Sequence, residues 1–343
     1  MRRRDVLTGG VLAGGVLGGT LGLLTGLGPV RAEVSEVTVA RQPSLGHLPL
    51  MVMEERGLLQ KHATALGLRG LGARYVTLAG GAAMNDALLS GSVQFVAGGV
   101  PPLVLLWSKT AGTGIAVKGV AAMNAMPLLM NTNSPHIQSL RDFTDRDKIA
   151  LPAVKVSVQA MFLQMAAEKE LGEARRNDLD RLTVTLSHPD GMAALLSGQE
   201  VSAHFTAAPI QELELRKPGI RTILNTFDVL GGPSTFNVVW ASAAFVEGNP
   251  TVHAAFTAAL EEAVAAVAGD PKGAAQAYAR VARDGSDVRL IEAILASPEV
   301  AFTTTPQAIL RYVEFMARTR AIRRGTADWR DLFFANVHAK PGN

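Results

Sequence analysis

The stretch YVTLAGGAAMNDALLSGSVQFVAGGVPPL, residues 75 to 103, decides how the rest of the chain is read. Val76 to Leu78 is β-prone, Gly80-Gly81 turns the chain, and Ala82 to Ser90 has the composition of a short helix that Gly91 stops. Val93 to Ala97 is a second β-prone run, closed by Gly98-Gly99. LTVTLSHPDGMAALLSGQEVSAHFTAAPI, residues 182 to 210, repeats V-T-L, then A-L-L-S-G, then a β-prone segment with a Phe near a Pro. Two copies of one strand-turn-helix-strand unit predict two similar α/β lobes. Each aims a loop and a helix N-terminus at the space between them, a layout suited to a cleft binder.

Residues 1–32 must be set aside before any fold argument. Arg2, Arg3 and Arg4 precede an uncharged stretch from Val6 to Val30, and V-R-A ends at Ala32, the pattern of an export signal. Adjacent arginines before a Gly-diluted apolar run resemble a twin-arginine signal, which implies export of a folded protein. An uncleaved membrane anchor is the other reading, since glycines at 10, 14, 18, 22 and 26 have the G-x-x-x-G spacing of paired helices. Nine glycines in that run make it a poor helix.

The leader carries four Arg and one Asp, so the chain's 33 basic and 30 acidic residues become 29 of each beyond residue 32. A neutral chain with 5% aromatic residues offers no electrostatic case for nucleic acid or a membrane surface. The basic run Arg318 to Arg324 reads as a solvated helix end. The absence of cysteine excludes a lipid-modified cysteine, a disulfide framework, thiolate metal sites and cysteine nucleophiles. Beyond the leader the most apolar segment, Val93 to Trp107, is broken by Gly98, Gly99, Pro101 and Pro102 and does not read as membrane-spanning.

Taken in order, Val37 to Ala40 reads as a strand, followed by the loop Arg41 to Leu48 and a helix begun by Pro49 and ended by Gly57. A strand at Gly119 to Met123 leads to a crossing at Pro127 to Asn131. Then come a strand at Lys148 to Leu151 and a helix from the N-cap Ser157 to Gly172. Beyond the second copy are a strand near Thr222 to Leu224 and a returning strand at Phe236 to Ala241. Helices should start at Asn249-Pro250, Asp270-Pro271 and Thr305-Pro306. Two crossings and a helical tail make the plan of a two-lobed periplasmic binding protein of the α/β class. In that plan each sheet is mainly parallel and flanked by helices, with the C-terminal helices on lobe 1. The expected lobes are residues 33–126 with 240–343, and 127–239.

The segments LGHLPLMVMEERGLL (45–59), GGAAMNDALLSGSVQFVAGGVPPL (80–103), RDFTDRDKIALPAVKVSVQA (141–160), HPDGMAALLSGQEVSAHFTAAPIQEL (188–213) and GGPSTFNVVWAS (231–242) carry a resemblance. Together they resemble the solute-binding proteins of ABC importers in the nitrate/sulfonate/taurine/bicarbonate group. The resemblance implies a monomer that takes a small-molecule ligand between its lobes and delivers it to an inner-membrane ABC permease. The family tends to place Asp after S-G-x-x; here Gln94 and Ser202 stand near those places, with a local consequence expected.

The residues expected to line the cleft follow from that layout. Ser44 can hydrogen-bond, Gly46 allows close approach to a ligand, and His47 lies in the loop after the first strand. Gly80, Gly81, Ala82 and Ala83 open a helix with free N–H donors, a place where an anion is welcome, and a side chain at Gly81 should block it without unfolding the lobe. Gly99 and Val100 form the next edge. Lys155, Ser157 and Gln159 surround the second-lobe helix start, with Lys155 the one cation placed near the cleft. His188 precedes the second-copy helix, where Asp190 is the expected N-cap; Thr206 and Ala208 end the next strand, and Asn237 lies on the return crossing.

No catalytic motif, no cofactor fingerprint and no metal-ligand spacing among the seven His is present. The leading expectation is a periplasmic binding component for a small anionic or zwitterionic organic solute such as a sulfonate, taurine or nitrate. Two alternatives stay open. His47 stands ten positions before Gly57, as does a substrate His in the thiamine-pyrimidine synthases that share this fold, which admits an enzyme. A ligand sensor for a membrane receptor is the other.

Overall fold

The computed structural model describes residues 32–343; the expected leader, apart from its last residue Ala32, falls outside the described residues. In chain order the first half holds β1 (Glu36–Arg41), α1 (Leu48–Glu55), α2 (Leu58–Ala65), β2 (Gly72–Thr77), α3 (Gly81–Leu89), β3 (Phe95–Gly99), α4 (Val100–Thr110) and β4 (Val117–Ala125). The middle holds β5 (Leu129–Thr132), β6 (Ile149–Leu151), α5 (Val158–Leu171), β7 (Thr183–Thr185), α6 (His188–Ser197), β8 (Ala203–Phe205), α7 (Ile210–Leu215), β9 (Arg221–Asn225) and α8 (Thr226–Leu230). The last part holds β10 (Thr235–Ser242), α9 (Ala243–Gly248), α10 (Pro250–Gly269), α11 (Pro271–Ala282), α12 (Val288–Leu295), β11 (Ala301–Phe302) and α13 (Ile309–Arg318).

Two sheets form, ordered β11-β4-β10-β3-β1-β2 and β7-β6-β8-β5-β9. The two repeat copies occupy matching places: β2-β1-β3 and β7-β6-β8 are each a parallel triplet at a sheet edge. The fourth strand of each comes from the other half of the chain and enters reversed. β10 pairs antiparallel with β3 and β4, and β5 pairs antiparallel with β8 and β9. Pro127 to Asn131, expected as a bare crossing, thus includes a central strand, because Met130 and Asn131 are buried between two neighbours that need their backbone groups. The departures from the S-G-x-x-D pattern are local: Gln94 Oε1 accepts from the Thr38 amide at 2.8 Å, and Ser202 Oγ donates to Asp147 Oδ1 at 2.8 Å.

The C-terminal helices pack on the first sheet's side, α10 against α1 and α2, and α11 against α1. α10 is long and apolar enough to cross a bilayer by composition. Here its stripe Val252, Ala255, Phe256, Ala259, Leu260, Ala263 and Val267 is buried, and Phe256 stacks on Phe95 with centroids 3.9 Å apart. One helix start and two cap assignments departed from expectation. Ser187, not Asp190, caps α6, its Oγ accepting from the Asp190 amide at 3.3 Å. No helix begins at Pro306, because the Pro306 and Gln307 carbonyls accept from Asn343 and Thr235 and hold that segment extended; α13 starts only after Ala308. α10 starts at Pro250 as expected, with Asn249 at the N-cap position, but the Asn249 side chain makes no cap hydrogen bond, since its Oδ1 accepts from the Val34 amide.

The cap of α10 comes instead from Glu33, whose two carboxylate oxygens accept from the Thr251 and Val252 amides at 2.9 and 2.8 Å. Burial pushes this carboxyl up, but the hydrogen bonds from Thr251 and Val252 outweigh it and leave it below the usual carboxylate range. Its stabilising effect is therefore complete above the unfolded pKa and lost as the pH falls through the folded one. We expect Glu33→Gln to cost about 0.5–1 kcal/mol, a drop of roughly 2 °C in melting temperature at neutral pH, with the gap to the parent closing in acid. A constant gap down to about pH 3 would show that the carboxylate charge is not what holds the helix end.

Candidate functional site

Three helix N-termini converge between the two sheets. Gly80 is the N-cap of α3, Gly99 that of α4 and Ser157 that of α5. They border a cavity of about 20 Å³, with Gly80, Gly81 and Gly99 on one side and Pro152, Ser157 and Gln159 on the other, closed by Gln42 and Phe236. The first turns of all three helices lack acidic residues, and only α5 has a side-chain cap, Ser157 Oγ accepting from the Ala160 amide at 3.2 Å. No charged side chain lines the cavity. α4 opens with Val100-Pro101-Pro102 and the prolines have no N–H, so the free first-turn amides come mainly from α3 and α5; backed by three dipoles, they make this a place that favours negative charge.

Beside Phe236 lies a buried polar cluster. Asn124 on β4 and Asn237 on β10 are cross-strand neighbours; Asn124 Nδ2 donates to the Gly46 carbonyl at 2.5 Å and to Asn237 Oδ1 at 3.3 Å. From the second sheet's side the Ala208 carbonyl accepts from the Leu45 amide at 2.9 Å, and His188 Nδ1 shares a 2.6 Å hydrogen bond with Thr206 Oγ1. His204 lies beyond, its Nδ1 2.5 Å from Glu214 Oε1, while Asn131 Nδ2 donates to Glu214 Oε2 at 2.9 Å. Four buried nitrogens in the cluster have no partner: both ring nitrogens of His47, His204 Nε2 and Asn237 Nδ2. Burial pushes His47 down to about 3, helped by the nearby Arg41 charge and by His188. Burial likewise pushes His188 down to about 3, with His204 adding to it. Both imidazoles are therefore neutral at physiological pH, each with one donor and one acceptor to offer.

The expected residues divide among several places. Ser44, Gly46, His47, His188, Thr206, Ala208 and Asn237 fall in or against the polar cluster, and Gly80, Gly81, Gly99, Ser157 and Gln159 line the cavity. Val100 is buried in the first turn of α4, Ala82 is exposed, Ala83 is half-buried, and none of the three lines the cavity. Lys155 does not line it either; it is exposed, held at φ 66°, and borders a separate groove of about 250 Å³ with Met161, Phe315 and Met316. The two glycines singled out for ligand approach serve packing: a Cβ at Gly81 would overlap Pro102, and one at Gly46 would overlap the Asn237 amide. A side chain at Gly81 therefore disturbs the fold itself. Sequence reading missed Gln42, Asn124, Phe236, His204 and Glu214. A lone Asn in the apolar run Val120 to Ala125 was the available signal for Asn124.

Because His47 and His188 are neutral when folded and titrate near 6.5 when unfolded, the unfolded chain binds more protons between about pH 6.5 and 3. Stability is then greatest above that window and falls as the pH drops through it, by on the order of a few kcal/mol per imidazole. Melting curves from neutral pH into mild acid should steepen this way in the parent and flatten in His47→Gln and His188→Gln; an identical slope in all three proteins rules the two residues out as its source.

A profile of the NMT1-like family matches residues 31–282. No curated protein sequence matches the chain. Among solved structures, the alkanesulfonate-binding protein SsuA from Xanthomonas axonopodis pv. citri, bound to MOPS, superposes with a TM-score of 0.66 at 18% identity, covering 85% of this chain and 96% of that one. The periplasmic aliphatic sulphonate binding protein SsuA from Escherichia coli gives 0.66 at 19%, covering 89% and 99%. The periplasmic nitrate-binding protein NrtA from Synechocystis PCC 6803 gives 0.58 at 15%, covering 72% and 66%. With two helix-flanked sheets arranged as in these structures and a family match over most of its length, the chain belongs to the NMT1-like family and has the two-lobed periplasmic-binding-protein fold.

Proposed function

We propose that this protein is the solute-binding component of an ABC importer, exported to the periplasm after removal of residues 1–32, and working as a monomer that passes its ligand to an inner-membrane permease. Its lobes are residues 33–126 with 235–343, and 127–234, since β10 lies whole in the first sheet rather than being divided at the expected boundary of 239, and they close over a small organic anion or zwitterion. The observation that carries this reading is the meeting of three helix N-termini from both sheets around a cavity without a charged side chain. Such a site matches a compact anionic head, and neighbours that bind sulfonates and nitrate support the same class. The groove beside Lys155 shares Ser157 with the cavity and could take an apolar remainder.

Binding fits the site better than catalysis. Imidazoles pushed down to about 3 are too weakly basic to move protons efficiently at neutral pH, and proton transfer is most effective when the catalytic pKa lies near the working pH. Closure then follows from ligand contacts that exist only when both sheets face the same solute, with the two crossings absorbing the hinge change.

A panel of alkanesulfonates, taurine, nitrate and carboxylates should contain a member that raises the melting temperature and compacts the particle in solution scattering. Ser157→Asp is the sharper variant, because it puts a negative charge at the cavity while Asp caps a helix as well as Ser does and so keeps the start of α5. Affinity for that member should fall at least tenfold with an unchanged or raised melting temperature; equal affinity would place the anion elsewhere. For export, replacing Arg2, Arg3 and Arg4 with Lys should strand the precursor in the cytoplasm, and the periplasmic parent should begin at Glu33. Undiminished periplasmic yield of the Lys variant would point to the general secretory route instead.

A further inference from the structure

α13 is tied to the first lobe at both ends, yet its side chains reach the second. Ahead of it β11 pairs with β4, and the Thr235 amide donates to the Gln307 carbonyl at 3.0 Å. Behind it the Phe334 amide donates to the Gly119 carbonyl at 2.9 Å, and Trp107 Nε1 donates to the Asp331 carbonyl at 3.0 Å. Toward α5, the Tyr312 ring meets Phe162 edge-on with centroids 5.8 Å apart. Arg318 engages Glu168 with both terminal nitrogens, Nη2 2.9 Å from Oε1 and Nη1 3.0 Å from Oε2. Glu173 stands 3.9 Å from the same guanidinium, which lies over the Phe315 ring at 5.4 Å from its centroid. Arg318, expected within a solvated basic run, is thus held by a carboxylate of the other lobe. Among the described residues every other ion pair joins groups of one lobe; Arg318 alone reaches across.

We propose that the Arg318–Glu168 fork is a clasp that holds the two lobes in the arrangement seen here, and that opening of the cleft releases it. The clasp sits where hinge rotation is felt. Tyr312 Oη donates to the Thr235 carbonyl at 2.9 Å, which pins the first turn of α13 to the second crossing. Arg318 lies about 9 Å further along the helix, so a rotation about the crossing carries Glu168 away from it. The contact is also separable. A groove of about 220 Å³ remains between α13 and the second lobe, bordered by Met165 and Val229 on one side and by Arg311 and Phe315 on the other. Here the helices meet through side-chain tips rather than a packed core, and parting them uncovers little apolar surface. A two-point pairing of guanidinium and carboxylate is the strong geometry for an ion pair, and at a partly exposed place it is weakened by salt. Ionic strength therefore biases the open–closed balance at a place remote from the solute. The inference rests on the reading that the lobes hinge about the two crossings, and not on which solute they close over.

The test uses the full processed protein with no solute added. The chain has no cysteine, so Leu89→Cys in the first lobe and Gln199→Cys in the second, both at exposed positions, accept one spin label each. Pulsed dipolar spectroscopy then reads the closed and open populations as separate distances. The parent should hold a larger closed share in low salt than in high salt. Arg318→Gln and Glu168→Gln should each lower the closed-to-open ratio about threefold in low salt and lose most of the salt response, with melting temperatures close to the parent's. The double variant should do no more than either single one, since both remove the same contact. The proposal is overturned by any of three results: parent distances that ignore salt, the parent's distribution retained in either single variant, or additive effects in the double variant. None of these bears on whether a solute binds, which the anion panel decides separately.

Discussion

The structure depends on an exchange of two strands. Each sheet is a parallel triplet that would be left with a bare inner edge, and in each case the strand that covers it arrives reversed from the other half of the chain, β10 in the first sheet and β5 in the second. Unsatisfied edge amides and carbonyls are costly when buried, so the exchange is strongly held. It also forces the chain across the gap between the sheets twice. The starts of α3, α4 and α5 then border one shared space, of the kind in which ligands of open α/β sheets bind.

Within that space the electrostatics come from oriented dipoles and neutral hydrogen-bonding groups rather than from side-chain cations. Arg41, at the end of β1, is the nearest buried cation, and it is engaged by Glu54 at 2.6 Å and lies over the Tyr75 ring at 5.6 Å from the centroid. His47 and His188 stay uncharged because the interior removes the solvation a charged ring would need. A site of this kind can favour an anion without paying the reorganisation that mobile lysines require, since the free first-turn amides are fixed in place by the hydrogen-bonded helices that carry them.

Glycine has two uses here that look alike in sequence. Gly80 and Gly99 face the cavity as N-caps, whereas Gly81 lets α3 lie against Pro102 and Gly46 lets the first loop lie against Asn237. Gly191 belongs with the latter, since a Cβ there would overlap the His204 ring, so the small residue in the second-copy helix seats the buried His204–Glu214 pair. These close approaches are long-range, and only the neighbour that fills the space tells one use from the other.

Much of the architecture was legible because it is written in local chemistry. The duplicated strand-turn-helix-strand unit, Ser157 as a cap, Gly172 as a stop, and Asp270 ahead of Pro271 are all decided by residues a few positions apart, and each stands where the spacing placed it. What tertiary structure alone decided involves partners far along the chain. Glu33 rather than Asn249 caps α10, the 305–308 segment is held extended by Thr235 and Asn343, and Asn124 meets both Gly46 and Asn237. Lys155 carried the right charge and the right neighbours in sequence, yet the left-handed turn at its own backbone directs it to another groove. Sequence periodicity fixes which face of an element is apolar, but the choice of hydrogen-bond partner among distant polar groups depends on where the folded chain brings them, and that is settled only when the two halves exchange their strands.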